Sequence, residues 1–124
     1  MQSLGRTLST LAVLFLGIDA IGKLLLLAPV VSGSAELGYS QGAVLVIGLL
    51  EALCLVAYVA PPTAVLGALL LTGYLGGAIA THLRAGNPLF SHILFPVYVA
   101  LFVWGGLFLR EARLRALLPL RLAR

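Results

Sequence analysis

A long run of apolar and small residues from Leu8 to Val31 contains two charges, Asp19 and Lys23, near its middle. At about 1.5 Å per residue, this run is long enough to cross a hydrocarbon layer of about 30 Å, so it predicts a membrane-spanning helix. A charge near the centre of a bilayer costs roughly 2.5 to 3.5 kcal/mol. The two charges lie four residues apart on one helix face, with the acid first, which favours an ion pair. We therefore predict that this face is turned toward protein.

The composition of the chain predicts an integral membrane protein. Of its 124 residues, 61% are hydrophobic and only 10% are charged, which leaves too little polar surface to cover a soluble globule. The uncharged run from Ala52 to Leu83 is too long for one span, and Pro61-Pro62 divides it. We predict an all-α fold, an integral membrane four-helix bundle. It forms a single transmembrane domain over 1–124, with spans at about 8–28, 43–59, 63–83 and 88–109.

The positive charges are unevenly distributed along the chain. The net charge is +4, and most of the excess follows Leu109, where Glu111 is the one acid. This asymmetry is typical of the cytoplasmic side of a membrane protein and does not indicate nucleic-acid binding. Together with Arg6, it predicts cytoplasmic N- and C-termini and a multi-pass protein of the bacterial inner (plasma) membrane. The basic amphipathic tail, 110–124, is expected to lie on the inner surface against anionic lipid.

Several residues predict where the helices begin and end. Pro29 is expected to end span 1, and 30–42 is expected to form the longest loop, with Ser40 as the cap of span 2. Gly86 is expected to form the C-cap of span 3 and Asn87 the N-cap of span 4.

Two features predict how the spans pack. Gly73 and Gly77 form a small-xxx-small pair in span 3, a pattern that lets membrane helices approach closely. Span 3 is therefore expected to be the most tightly packed helix. Pro96 predicts a kink in span 4.

The polar residues inside the spans are expected to meet at one depth. Asp19, Glu51 and Tyr74 each lie about 12 to 15 Å below the outer helix ends, and Lys23 lies one turn nearer to the outside. His82, Arg84, Asn87 and His92 are expected to surround the outer end of spans 3 and 4. The inner half of the bundle is expected to be almost entirely apolar.

Charge inside a membrane is costly and usually lines a pathway or a pocket, although a purely structural ion-pair network of Asp19, Lys23 and Glu51 is the alternative. Two acids and one lysine leave one negative charge unbalanced, so the site is expected to hold or exchange a proton, or to borrow charge from Arg84 or a histidine. No catalytic residue and no metal site are predicted. The candidate ligand-binding or proton-exchange residues are Asp19, Lys23, Glu51, Tyr74, His82, Arg84 and His92.

Other kinds of chemistry receive little support from the sequence. The single Cys54 excludes an internal disulfide and a CxxC redox pair. No nucleotide-binding loop, zinc spacing, nucleophile elbow or nucleic-acid motif is present. A haem held by His82 and His92 would need both rings turned to the bundle centre, whereas both residues are expected near the outer surface.

The chain resembles the DoxX-like family of small four-helix bacterial membrane proteins. The resemblance rests on Gly17-Ile-Asp-Ala-Ile-Gly-Lys23, Gly48-Leu-Leu-Glu51, the segment from Pro61 to Ala68, and above all Thr72-Gly-Tyr-Leu-Gly-Gly-Ala-Ile-Ala-Thr-His-Leu-Arg84, followed by Trp104. It implies a single four-helix bundle in the inner membrane and an association with redox complexes, with quinone as a possible cofactor. It implies no catalytic residue set, and the lack of a cysteine pair argues against a thiol-oxidising role.

Three functions follow from these observations. The first is a protein whose outward-facing polar pocket binds a small hydrophobic ligand such as a quinone, or that supports an oxidoreductase which does. The second is a proton-coupled transporter of small molecules, since Glu51 is an intramembrane carboxyl. The third is a non-catalytic structural subunit of a membrane complex. Membrane lipid is the expected partner, with a homo-oligomer or a redox complex as further possibilities.

Overall fold

The computed structural model describes residues 2–117, and this part of the chain consists of helices joined by short connections. The charged pair of the first span lies in the last two turns of α1, and the other helices follow in an up-and-down order. The elements are α1 (Gln2–Leu24), α2 (Ala28–Glu36), α3 (Gln41–Val59), a 3₁₀ turn (Pro61–Thr63), α4 (Ala64–Ala85), a π-helical turn (Leu89–Ile93), α5 (Phe95–Arg110) and α6 (Ala112–Leu117).

Four of these helical stretches are long and apolar enough to cross a membrane: Gln2–Leu24, Gln41–Val59, Pro61–Ala85 and Leu89–Arg110. The prediction of an all-α, membrane-spanning four-helix bundle is therefore confirmed. The core side chains include Leu16, Val44, Leu71 and Val103, one from each span, and all are at most 1% exposed. Many leucines and valines point outward, as expected for helices that are surrounded by lipid.

The four spans form a closed ring. α1 packs against α3 and α5, and α4 packs against the same two helices. Consecutive spans are thus neighbours, and the last span returns to the first. Because the number of spans is even, the chain enters and leaves the bundle on the same side.

The segment after α1 differs from the prediction. Span 1 ends at Leu24 rather than at residue 28, and the chain turns there with Leu26 at a φ of 51°. The predicted loop 30–42 is wrong in its first part, because Ala28–Glu36 forms α2. Pro29 lies in the first turn of α2, where a proline needs no backbone N–H and its fixed φ suits a helix. Pro29 therefore belongs to the beginning of α2, and it does not end span 1.

The predicted helix caps are partly confirmed. Ser40 caps α3, since its Oγ accepts a hydrogen bond from the Ala43 amide at 3.2 Å. Gly86 ends α4 with a φ of 74°, the left-handed conformation that glycine adopts easily. The prediction for Asn87 is wrong: Pro88 stands at the N-cap position of the following turn, and the Asn87 side chain is used elsewhere.

Span 4 changes from π-helix to α-helix at Leu94, just before Pro96, where the sequence predicts a kink. In α6, Leu114 is buried against the core. The predicted membrane-surface tail lies partly outside the described residues, which end at 117.

Tight packing along α4 occurs at a different glycine from the predicted pair. An added Cβ at Gly73 or Gly77 would meet no atom within 4 Å, whereas one at Gly67 would overlap the backbone of Ala57 and Tyr58. The 3₁₀ turn at Pro61–Thr63 brings α3 and α4 together, and farther from this turn both helices line a cavity. The prediction that span 3 packs closely through Gly73 and Gly77 is therefore wrong.

Candidate functional site

Lys23 lies at the centre of a group of polar side chains from three spans. Its ammonium Nζ is 2.5 Å from Asp19 Oδ2, 3.2 Å from Glu51 Oε1 and 2.5 Å from the Tyr74 hydroxyl. An ammonium has three N–H donors, so these contacts use all of them. We call this group, Asp19, Lys23, Glu51 and Tyr74, the Lys23 network.

Local sequence explains how α1 and α3 come close enough to form the network. Gly48 faces α1, and a Cβ at this position would collide with the Cβ of Lys23. Glu51 follows three residues later on the same face of α3, so the close approach at Gly48 brings its carboxyl within reach of Lys23. Tyr74 reaches the same ammonium from α4.

Burial and charge distinguish the members of the network. Glu51 has no exposed surface, while the side chains of Lys23 and Asp19 are 16% and 36% exposed. The second carboxyl oxygen of Glu51, Oε2, is buried and has no hydrogen-bond partner among the described residues. Two carboxyl groups share one ammonium, so the network is electrically balanced when one carboxyl holds a proton. An unpartnered buried oxygen is costly, so Oε2 is the atom of the network that can accept a further hydrogen bond or a proton.

The network lines a cavity of about 240 Å³. Phe15 and Phe95 supply aromatic surface on one part of its wall. We call it the network cavity, and it brings together six of the seven predicted site residues: Asp19, Lys23, Glu51, Tyr74, His82 and His92.

The imidazole of His82 is oriented by Asn87. The Asn87 Nδ2 amide donates a hydrogen bond to His82 Nδ1 at 2.8 Å, so the neutral ring carries its hydrogen on Nε2. The ring of His92 packs edge-on against it, with 5.6 Å between centroids, and His92 Nδ1 is 2.8 Å from the hydroxyl of Ser91. Sequence reasoning assigned Asn87 to a helix cap and missed this role.

Two further cavities adjoin the network cavity. One of about 290 Å³ lies between the α2–α3 connection, α3 and α4, and it shares Lys23, Tyr74 and His82 with the network cavity. We call it the α2 cavity. The other is an apolar groove of about 200 Å³ between α1 and α5, which shares Phe15 and Phe95 with the network cavity.

A sequence model of the DoxX-like family matches residues 7–106, which include the whole of the second and third spans, most of the first and fourth, and every residue of the Lys23 network. The chain belongs to the DoxX-like family. No curated protein and no solved structure matches it. The resemblance found in the sequence is thus confirmed, and this DoxX-like chain is a multi-pass membrane protein.

Arg84 is the predicted site residue that lies apart from the others. Its Nη2 donates a hydrogen bond to the Leu37 carbonyl at 3.0 Å, on the exposed surface. The Tyr39 and Thr81 hydroxyls form a second contact between the same segments at 2.7 Å. In this DoxX-like chain, Arg84 therefore fixes the α2–α3 connection to the end of α4 and does not balance the charge of the network.

A second polar cluster lies at the opposite end of the bundle, where the sequence predicts almost pure apolar packing. The buried Tyr58 hydroxyl donates to the Val103 carbonyl at 2.7 Å and lies 2.8 Å from Ser9 Oγ. Arg110 Nη2 donates to the same Ser9 oxygen at 3.1 Å. Tyr58 stands seven residues after Glu51 on the same face of α3. This spacing is the sequence feature that indicates a second buried polar group on α3. Since these groups bond to one another, the cluster joins α1, α3 and α5.

Proposed function

We propose that this chain binds a small hydrophobic ligand with a polar head, of the quinone class, in the network cavity, and that it serves as a redox-linked component of the bacterial inner membrane. The observation that carries the proposal is the lining of one cavity by the Lys23 network, two imidazoles and two phenylalanine rings. A ligand of this kind needs both polar partners and apolar walls. The arginine excess after Leu109 supports an orientation with both termini in the cytoplasm.

Two hydrogen-bond donors in the cavity suit the carbonyl oxygens of a quinone. The Tyr74 oxygen accepts a hydrogen bond from Lys23, so its own hydrogen is directed elsewhere. The Nε2–H of His82 is the second donor, because Asn87 occupies Nδ1. Both residues line the same cavity. Donors at the membrane boundary could bind a carbonyl oxygen and exchange a proton with it.

The apolar groove suits the hydrophobic tail of the same ligand. It continues from the network cavity past Phe15 and Phe95, and along α1 it reaches Leu11 and Ala12. Tyr98 also lines the groove, but its hydroxyl donates to the Phe90 carbonyl at 3.1 Å. The groove therefore presents mainly carbon atoms, and a ligand whose head occupies the network cavity could place its tail there.

Titration of the purified protein in lipid nanodiscs with a decyl-substituted benzoquinone, followed by calorimetry, tests the proposal. Tyr74→Phe and His82→Ala each remove one donor, so we expect each to weaken binding about fivefold to tenfold. Arg84→Ala is the matched control, because Arg84 lies outside the cavity, and it should bind like the unmodified protein. Two results together would contradict the proposal. The unmodified protein would not bind the quinone, and Glu51→Gln and His82→Ala would change only the stability of the protein.

The unpartnered oxygen of Glu51 supports a second candidate function, proton-coupled transport of a small molecule. A buried carboxyl that exchanges a proton is the group such a transporter needs. Reconstitution in liposomes tests it: a transporter would move protons when a substrate gradient is imposed, and Glu51→Gln would stop that movement. If no proton movement is measured in these liposomes in any substrate gradient, ligand binding is the better explanation.

A further inference from the structure

The α2 cavity has a largely apolar lining in which several polar side chains are set. Of its polar lining residues, Ser34 comes from α2, Tyr39 follows α2, and Thr81 and His82 belong to α4. Its volume of about 290 Å³ accommodates several water molecules, each of which occupies about 30 Å³ in the liquid. Polar partners and sufficient room are what a hydrated cavity requires.

The position of α2 places this cavity next to the aqueous phase. α2 has nine residues, about 14 Å, which is too short to cross a bilayer. It contains exposed Ser32 and Glu36, which are typical of a helix at the membrane surface. The contacts of Arg84 with Leu37, and of Tyr39 with Thr81, hold the following connection against α4.

The wall between the two cavities contains Ala78 and three groups that can carry protons. Lys23, Tyr74 and His82 line both the α2 cavity and the network cavity. A proton that enters from the α2 side therefore reaches the network without passing the apolar groove between α1 and α5. The titratable groups around this wall and the α2 cavity are Asp19 and Lys23 on α1, Tyr39 on the α2–α3 connection, Glu51 on α3, Tyr74 and His82 on α4, and His92 on the π-helical turn.

We infer that the α2 cavity is a water-filled vestibule through which the Lys23 network exchanges protons with the aqueous phase. The hydrophobic ligand reaches the network from the other side, between α1 and α5. This inference deepens the proposed function, on which its second part rests. The water-filled vestibule itself requires no ligand, so it can be tested separately.

Three glycines of α4 provide a matched test. Gly73 and Gly77 line the α2 cavity, whereas Gly76 is not among its lining residues. An added Cβ would meet no atom within 4 Å at any of the three, so each position accepts a small side chain. In a Cys54→Ala background, which removes the native thiol, we would make the Gly73→Cys, Gly77→Cys and Gly76→Cys variants and a Gly33→Cys variant in α2.

The experiment measures the rate at which a charged, water-soluble methanethiosulfonate reagent modifies each thiol in membranes opened to both sides. The reagent reacts with the thiolate, which forms in water and not in lipid. We expect the Gly73→Cys and Gly77→Cys variants to react at least tenfold faster than the Gly76→Cys variant, and the Gly33→Cys variant to react fastest. Equal rates at the three α4 positions would overturn the vestibule, whether or not a quinone binds.

A second experiment tests the proton route. After transfer to D₂O, infrared spectroscopy follows the carboxylic-acid band that Glu51→Gln or Asp19→Asn removes. We expect Gly77→Leu, which fills the α2 cavity, to slow deuterium exchange of this band at least tenfold, and Gly76→Leu to leave it unchanged. An unchanged rate in the Gly77→Leu variant, or the absence of such a band, would overturn the proton route. Loss of quinone binding alone would instead contradict the proposed function.

Discussion

At the scale of single residues, Lys23 determines how two acids are accommodated inside the membrane. Its ammonium contacts Asp19, Glu51 and Tyr74 at once, and Glu51 is completely buried. Breaking a buried ion pair by removing one partner typically costs about 3 to 5 kcal/mol, because the other charge is left uncompensated. Lys23 is thus expected to contribute to stability through the acids that it neutralises.

We expect Lys23→Met to lower the free energy of unfolding by about 3 kcal/mol, measured by denaturation in mixed micelles. Arg84→Met is the control, because Arg84 is exposed and contacts a carbonyl, and it should cost less than about 1 kcal/mol. Adding Glu51→Gln to Lys23→Met removes one of the carboxylate charges that lost its partner. The double variant should therefore recover part of the lost unfolding free energy. Equal unfolding free energies for Lys23→Met and Arg84→Met would contradict this account of the network.

At the scale of elements, the turn at Pro61–Thr63 determines the spacing of α3 and α4. The Thr63 hydroxyl donates to the Ala57 carbonyl at 2.7 Å and closes the turn, and Gly67 then lies directly against the backbone of α3. Further along α4, Gly73 and Gly77 face the α2 cavity. The same residue type therefore permits contact at one end of the helix and leaves space at the other.

Gly67→Ala and Gly76→Ala should consequently have opposite effects on stability. The new methyl at Gly67 overlaps the α3 backbone, and overpacking of this kind costs about 1 to 3 kcal/mol. At Gly76 the methyl meets no neighbour, so the higher helix propensity of alanine, about 1 kcal/mol, is gained in full. Thermal unfolding in detergent compares the two variants. A Gly76→Ala protein that is less stable than the unmodified protein would contradict this prediction.

At the scale of the whole molecule, two polar clusters occupy opposite ends of the bundle and differ in how completely they are bonded. Ser9, Tyr58 and Arg110 bond to one another and to backbone carbonyls. The Lys23 network has an unpartnered oxygen on Glu51 and lines two cavities. This difference favours a structural role for the first cluster and supports the proposal of ligand binding for the second.

The corresponding prediction compares Tyr58→Phe with Tyr74→Phe, which remove the same hydroxyl from the two clusters. Tyr58→Phe removes the buried hydrogen bonds of the Tyr58 hydroxyl to the Val103 carbonyl and to Ser9 and should cost about 1 to 3 kcal/mol of stability, with quinone affinity unchanged. Tyr74→Phe should weaken quinone binding about fivefold to tenfold. Calorimetric titration and unfolding of both proteins provide the comparison. A larger loss of quinone affinity in Tyr58→Phe would reverse the assignment of the two clusters.

The sequence by itself determined the four membrane spans and the convergence of Asp19, Lys23, Glu51 and Tyr74. Both follow from the cost of exposing polar groups to hydrocarbon, which depends on residue type and depth and can be estimated along the chain. Those two features contain most of the fold and the centre of the candidate site.

Only the tertiary structure decided how the rest of the site is arranged. The separation of α3 from α4, the folding of α2, the contact of Asn87 with His82 and the cluster around Tyr58 depend on distances between helices. A glycine pattern indicates that a close approach is permitted, but it does not say where two helices meet. That position depends on the turn that joins the two helices and on the packing of all four spans, because each helix packs against two neighbours at once.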